Sequence, residues 1–76
     1  MEIDRLVKMA NEIGEFFAQS PDREVAITAI TTHLRNFWEP RMRRAIVEYA
    51  HRDGAELKEI VRAAVLRLDP PAPLPA

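Results

Sequence analysis

Glu48 and His51 are the residues whose types and spacing come closest to those of a metal site. Glu-x-x-His on a helix is the motif of di-iron bundle proteins, which need two copies of it and two further glutamates around the metal pair. This sequence contains the motif once, so we interpret the spacing as chance. The sequence has no cysteine, which excludes disulfides, thiolate zinc sites, cysteine-ligated iron-sulfur clusters and cysteine nucleophiles.

Other catalytic chemistry finds equally little support in the sequence. It has no glycine-rich phosphate loop, and its hydroxyl side chains have no evident His and Asp arrangement beside them. His33 falls at the edge of an apolar helix face, where we interpret it as a packed or half-exposed imidazole rather than a ligand. We therefore predict no active site in this chain, and an isolated protein that is colourless, metal-free and inactive.

The most unusual stretch is FWEPRMRR, residues 37–44, which holds three arginines behind a Trp-Glu-Pro corner. Pro40 disfavours helical geometry at Glu39 and suits the first position of a new helix. Arg41, Arg43 and Arg44 then fall in the first turn of that helix, where the macrodipole favours acids and each exposed cation costs about 0.3–1 kcal/mol. Something outside the helix must compensate these charges.

Three compensating groups remain open: the acidic face of the first helix, a carboxylate-rich partner surface, and phosphate. A further alternative is that the arginines stack on Trp38 and stay solvated, which adds solubility and no binding. We favour a protein partner, because Trp, Arg, Tyr and Met are the types that dominate interface energetics. In that case Arg41→Glu or Arg43→Glu should leave the chain folded and reduce binding.

Charge is distributed unevenly along the chain, although the formal net charge is only -1. By our count, residues 1–32 carry -3, residues 33–52 carry +3 and residues 53–76 carry -1. A duplex-binding domain usually presents a wider basic surface, so nucleic-acid binding by a stand-alone helical protein is our second hypothesis for the function.

The N-terminal residues lack an apolar signal core, and no apolar run approaches the ~20 residues that span a bilayer. We expect a soluble, cytoplasmic protein.

The elements that position these residues are all predicted to be helical, because apolar residues recur with a 3.6-residue period and only two glycines interrupt the chain. The first helix is predicted over residues 3–18, with Met9 and Phe16 widening its apolar face and Gly14 allowing a close helix contact. The residues predicted on its buried face are Ile3, Leu6, Val7, Ala10, Ile13, Gly14 and Phe17. The second is predicted to start at Ser20-Pro21, to bury Phe37 and Trp38, and to carry Thr31 on its outer face.

The third helix is predicted over residues 40–51, with Asp53-Gly54 as its stop and Val47 on its outer face. The fourth is predicted over residues 55–68. The fold class is therefore all-α: a small bundle of about four helices with a sharp corner between the second and third. We predict one helical domain, residues 1–68, and a flexible proline-rich tail, residues 69–76, whose removal should change stability little.

Three stretches carry a resemblance to a known family: LVKMANEIGEFF at residues 6–17, HLRNFWEPRMRR at 33–44 and ELKEIVRAAVLRL at 56–68. With Pro21 between the first two, they resemble the delta subunit of soluble NAD-dependent formate dehydrogenases. Lys8 to Asn11 with Ile13-Gly14, and Phe37-Trp38 with Pro40 to Arg43, are the most specific elements. The resemblance covers about residues 2–68.

The resemblance implies a small, non-catalytic accessory subunit without cofactors, which supports assembly, stability or cofactor insertion. The molybdenum or tungsten pterin, iron-sulfur clusters, FMN and NAD are expected in the large catalytic subunit and the iron-sulfur and flavin subunits. We expect the chain to dock on the catalytic subunit through two patches, with its arginines paired to acids. The predicted partner-binding residues are Phe37, Trp38, Pro40, Arg41, Met42, Arg43, Arg44, Met9 and Phe16.

Overall fold

A computed structural model describes residues 2–68 as four α-helices and the segments that join them. They are α1 (Ile3–Phe17), α2 (Arg23–Phe37), α3 (Pro40–Arg52) and α4 (Glu59–Leu66). The all-α fold class with four helices is confirmed. The predicted flexible tail, residues 69–76, lies outside the described residues.

The short α4 packs against each of the other three helices, and most extensively against α2. Every helix contributes apolar side chains at 3.6-residue spacing to one core. The largest fully buried side chains there are Ile27, Ile30, Leu34, Ile46, Val61 and Val65. Burial on α1 follows the predicted face, with Leu6, Val7, Ala10 and Gly14 buried.

Gly14 makes a close helix contact, as the sequence predicted, and the helix that it contacts is α4. A Cβ at this position would lie 2.2 Å from Cγ2 of Val61, which is too short for two carbon atoms that are not bonded to each other. Val61 therefore occupies the space that a larger residue at position 14 would fill.

The start of α2 differs from the prediction, which placed the cap at Ser20 and the first turn at Pro21. The cap is Asp22, whose carboxylate accepts hydrogen bonds from the backbone N–H groups of Glu24 (2.9 Å) and Val25 (3.3 Å). An ionised carboxylate satisfies two otherwise unpaired donors at the positive end of the helix dipole. Asp22 therefore outcompetes Ser20, whose hydroxyl instead contacts the backbone of Asp22.

The Trp-Glu-Pro corner forms as predicted between α2 and α3. Trp38 and Glu39 both have extended backbone, with ψ of 142° and 151°, and Pro40 is the first residue of α3. The helix-two prediction was wrong for Phe37, which is 74% exposed, while Trp38 is only 5% exposed. Because α2 stops at Phe37, the chain leaves the helical path and Trp38, not its neighbour, reaches the core.

The fourth helix starts at Glu59, four residues later than predicted. Gly54 has a φ of +66° and is followed by a turn in which the N–H of Leu57 donates to the carbonyl of Gly54. Asn11 of α1 holds this segment: its amide donates to the carbonyl of Glu56, and its side-chain oxygen accepts from the N–H of Lys58, both at 2.9 Å. The segment before Glu59 is thus held in a non-helical path by a contact from α1.

Two further residues were assigned to the wrong helix face. Thr31 was predicted on the outer face of α2 but is buried, and its hydroxyl hydrogen-bonds the carbonyls of Ile27 and Ala64. Val47 was predicted on the outer face of α3 but is also buried. Both faces are wider than expected because α4 packs against α2 and α3 together.

Candidate partner-binding site

Arg43 is the member of the arginine cluster that the structure assigns to the fold itself. Its guanidinium donates hydrogen bonds to the backbone carbonyl of Arg35, at 3.1 Å, and to that of Trp38. Carbonyls at the C-terminal end of a helix lack intrahelical partners and carry partial negative charge. Arg43 of α3 therefore caps the end of α2 and fastens the corner. These hydrogen bonds give Arg43 a structural role within the chain, and its predicted contact with a partner stays a prediction.

Arg41 and Arg44 have a different environment from Arg43. Both side chains are exposed, and neither forms an ion pair or side-chain hydrogen bond within residues 2–68. The ion pairs of this part of the chain lie elsewhere: Arg23 with Glu59, Lys58 with Glu15 and Arg67 with Glu24. The acidic face of α1 consequently does not neutralise the corner, and two cations remain uncompensated at the positive end of α3.

The remaining predicted residues of the corner are divided between core and surface. Trp38 is buried, Met42 is half-buried against the core, and Pro40 is exposed. Phe37 is directed outward beside them. The corner thus presents one large apolar side chain and two cations to solvent, with Trp38 beneath.

Aromatic rings connect this corner to the predicted patch on α1. Phe16 packs edge-on against Phe17, with 5.1 Å between ring centroids. The ring of Phe17 lies 6.2 Å from His33, and that of His33 lies 4.8 Å from Phe37. The two ends of this row, Phe16 and Phe37, are both highly exposed, at 67% and 74%.

An open groove of about 540 Å³ runs between α1 and α2 along this row. Its lining is mainly apolar: Met9, Glu12, Ile13, Phe16, Phe17, His33 and Trp38. The two patches that the sequence predicted separately therefore meet in one surface, which we call the aromatic groove: this lining together with Phe37.

Sequence reasoning missed four members of this surface: Ile13, Phe17, His33 and Glu12. The first two were assigned to the core and His33 was treated as an isolated imidazole; the structure places it half-buried in the groove. The spacing of His33 and Phe37 at i,i+4 was a local signal that they share a face. No local signal could show that this face of α2 lies beside Phe17 of α1.

The other side of α1 borders a second groove, of about 570 Å³, with mostly charged lining. Its residues are Asp4, Val7, Lys8, Asn11, Glu12, Glu15, Glu56 and Lys58. Asn11 uses both polar ends of its side chain to hold the segment before α4, and Lys58 pairs with Glu15 at 3.5 Å. These contacts join α1 to the start of α4.

Away from both grooves, Arg67 binds the carboxylate of Glu24 through both oxygens, at 2.5 and 2.8 Å. These hydrogen bonds, and then the charge of Arg67, lower the pKa of Glu24 below 4.5.

Glu48 and His51, the Glu-x-x-His pair, are both exposed on α3. Within residues 2–68, no cluster of three or more potential metal-binding side chains is present.

A sequence model of the family described as NADH-dependent formate dehydrogenase delta subunit FdsD matches residues 5–65. The match includes all of α2 and α3, most of α1 and α4, and every residue of the aromatic groove. No curated protein and no solved structure matches the chain. No helix of residues 2–68 is long and apolar enough to cross a membrane.

Proposed function

Because this chain belongs to the NADH-dependent formate dehydrogenase delta subunit family, we propose that it is a non-catalytic accessory subunit of such a complex. Its role is to support the assembly, the stability or the cofactor insertion of the catalytic subunit through protein contacts. The reactive groups, a molybdenum or tungsten pterin, iron-sulfur clusters, FMN and NAD, are held by the other subunits in this proposal.

The observation that carries the proposal is the exposure of two phenylalanines at an apolar groove: Phe16 lines it, and Phe37 packs on His33 of its lining. Large contiguous apolar surfaces on small soluble domains usually mark contact sites, and aromatic and arginine side chains dominate interface energetics. A chain of 76 residues also gains most from a partner, because small domains bury a smaller share of their surface than large ones. A family whose name denotes a subunit and a surface suited to protein contact support the same conclusion.

Co-purification tests this function. The chain, carrying an affinity tag, is co-expressed with the remaining subunits of the formate dehydrogenase and isolated after nuclease treatment. We expect the large subunits in fixed stoichiometry by mass measurement, and we expect omission of the chain to lower the yield, heat resistance or metal content of the complex. Recovery of nucleic acid in place of these subunits would favour the stand-alone nucleic-acid-binding alternative. Stoichiometric metal or flavin in the isolated, refolded chain would contradict the non-catalytic assignment.

A further inference from the structure

We propose that the aromatic groove receives an amphipathic helix of a partner subunit, with apolar side chains between Phe16 and Phe37 and carboxylates facing Arg41 and Arg44. This inference rests on the proposed function and specifies the chemistry of the contact. Its three supports are the position of the groove, the charge beside it and the composition of its lining.

The groove lies on the side of the α1–α2 pair that the other two helices leave free. α4 packs on α2 through the face that contains Ile27, Thr31 and Leu34, and Thr31 donates to the α4 carbonyl of Ala64. His33 and Phe37 share a different face of α2, and on that face His33 lies beside Phe17 of α1. Two helices packed side by side present a groove that fits a third, and helix-in-groove recognition uses apolar anchors spaced at i, i+3 or i+4 and i+7.

Charge beside the groove defines the flank of the incoming helix. Trp38 lines the groove, and Arg41 follows it by three residues, so their Cα atoms are within about 11 Å of each other. Residues 33–44 contain four arginines and one acid, Glu39. Arg43 is committed to the carbonyls that end α2, whereas Arg41 and Arg44 have no acid of residues 2–68 paired with them. Carboxylates from a partner would remove the unfavourable charge at the start of α3.

The lining favours a protein segment over nucleic acid. Phosphate backbones need basic side chains spread along their length, but no lysine or arginine is among the lining residues. The lining is aliphatic and aromatic, with Glu12 as its acid. An occupant with one acidic end and an apolar body satisfies both parts of the surface.

Photocrosslinking identifies the occupant directly. p-Benzoylphenylalanine is introduced in place of Phe16 or Phe37 in the tagged chain, which is co-expressed with the remaining subunits. The control carries the probe in place of Val25, an apolar residue of α2 that is 55% exposed and outside the groove lining. We expect positions 16 and 37 to crosslink to one segment of a partner subunit that contains apolar residues and several Asp or Glu, and position 25 not to reach it. Crosslinks to a second copy of the chain, to its own residues 69–76, to nucleic acid or to a segment without acids would overturn the proposal.

Binding measurements test the two halves of the surface separately. Phe16→Ser and Phe37→Ser should each weaken capture of the remaining subunits at least tenfold, while Val25→Ser should leave it unchanged. Arg41→Glu with Arg44→Glu should weaken capture at least tenfold at low salt, with a smaller loss at high salt. Arg5→Glu is the matched control, because Arg5 is also an exposed arginine in the first turn of a helix, at the start of α1.

The possible failures are distinguishable from one another. If the wild-type chain does not capture the remaining subunits, the proposed function itself fails. If the wild-type chain binds but the groove variants bind equally well, only the groove assignment is overturned. If the phenylalanine variants lose binding and the double charge reversal does not, the occupant lacks the acidic flank and the proposed chemistry is wrong. Circular dichroism melting of every variant verifies that the chain remains folded.

Discussion

Gly14 sets the distance between α1 and α4, because the missing Cβ is the space that Cγ2 of Val61 fills. We predict that Gly14→Ala lowers the free energy of unfolding by about 1–2 kcal/mol. Alanine gains about 1 kcal/mol in helix propensity, but overpacking a filled core costs about 1–3 kcal/mol, and a separation of 2.2 Å places this site at the upper end. Urea denaturation measures the difference.

A double-mutant cycle tests whether the destabilisation by Gly14→Ala arises from its contact with Val61. In the Val61→Ala background, Gly14→Ala should be neutral or stabilising, because the smaller residue at position 61 leaves room for the new methyl group. Lys8→Ala, on the exposed face of the same helix, should change stability by less than about 0.5 kcal/mol. Equal destabilisation by Gly14→Ala in both backgrounds would show that Val61 is not the obstacle.

The Glu24–Arg67 pair gives the folded state a pH dependence at the residue scale. Arg67 lowers the pKa of Glu24 below 4.5, so the folded state binds this proton less readily than the unfolded state. The pair therefore stabilises the fold at pH values above about 4.5, and this contribution is lost as the pH falls through the lowered pKa. Both side chains are largely exposed, so we expect a small effect.

We predict that Glu24→Gln lowers the thermal midpoint slightly at neutral pH. The difference from wild type should shrink as the pH is lowered through the depressed pKa of Glu24, below which the carboxylate is protonated in both states. Melting curves across this range provide the measurement. Glu12→Gln is the control, since Glu12 has no ion pair within residues 2–68. The same pH-dependent loss in Glu12→Gln would mean that overall charge, rather than the contact with Arg67, is responsible.

At the scale of the helices, the corner between α2 and α3 depends on Arg43 and not on its neighbours. Arg43→Ala should lower the free energy of unfolding by about 1–3 kcal/mol, because it removes charged hydrogen bonds to two carbonyls at the end of α2. Arg44→Ala should change it by less than about 0.5 kcal/mol. Arg41→Glu should be neutral or stabilising by about 0.3–1 kcal/mol, since acids suit the start of a helix.

Chemical denaturation of the isolated chain compares these three variants. Equal losses from Arg43→Ala and Arg44→Ala would contradict the capping role. The sequence predicted that Arg43→Glu leaves the chain folded; from the structure we expect it to destabilise the fold, because a carboxylate at this position would face carbonyl oxygens. For Arg41→Glu the expectation stands, and this makes position 41, not 43, suitable for binding experiments.

At the scale of the whole molecule, one core holds all four helices together. The Cα radius of gyration, 11.6 Å, is close to the roughly 11 Å expected of a folded domain of this length. A domain of this size has a total stability of about 4–11 kcal/mol. Truncating one fully buried side chain therefore removes a large share of it.

We predict that Leu34→Ala, at a position with 0% exposure, costs about 2–5 kcal/mol and lowers the thermal midpoint by at least about 8 °C. Val25→Ala, on the exposed side of the same helix, should have little effect. Partner subunits that bind only the folded chain should restore part of the loss, by about 2.7 kcal/mol at a hundredfold excess over Kd. A melting midpoint of Leu34→Ala that equals wild type would show that α2 is not central to the core.

The sequence by itself determined the features that depend on neighbours along the chain. Apolar periodicity determined the four helices and the buried face of α1. Pro40 determined the corner and the start of α3, and Gly54 determined the end of α3, because each restricts or permits backbone angles locally. The family resemblance, which the family match confirms, likewise rests on contiguous motifs.

Only the tertiary structure decided what depends on residues distant in sequence. Asn11 holds the segment before α4 across 45 or more positions, and this contact delays the helix that periodicity placed at Ala55. Arg43 and Arg41 have the same side chain and differ only in whether the end of α2 is within reach. The aromatic groove is decided in the same way, because α1 and α2 each supply half of it and only their packing brings Phe17 beside His33.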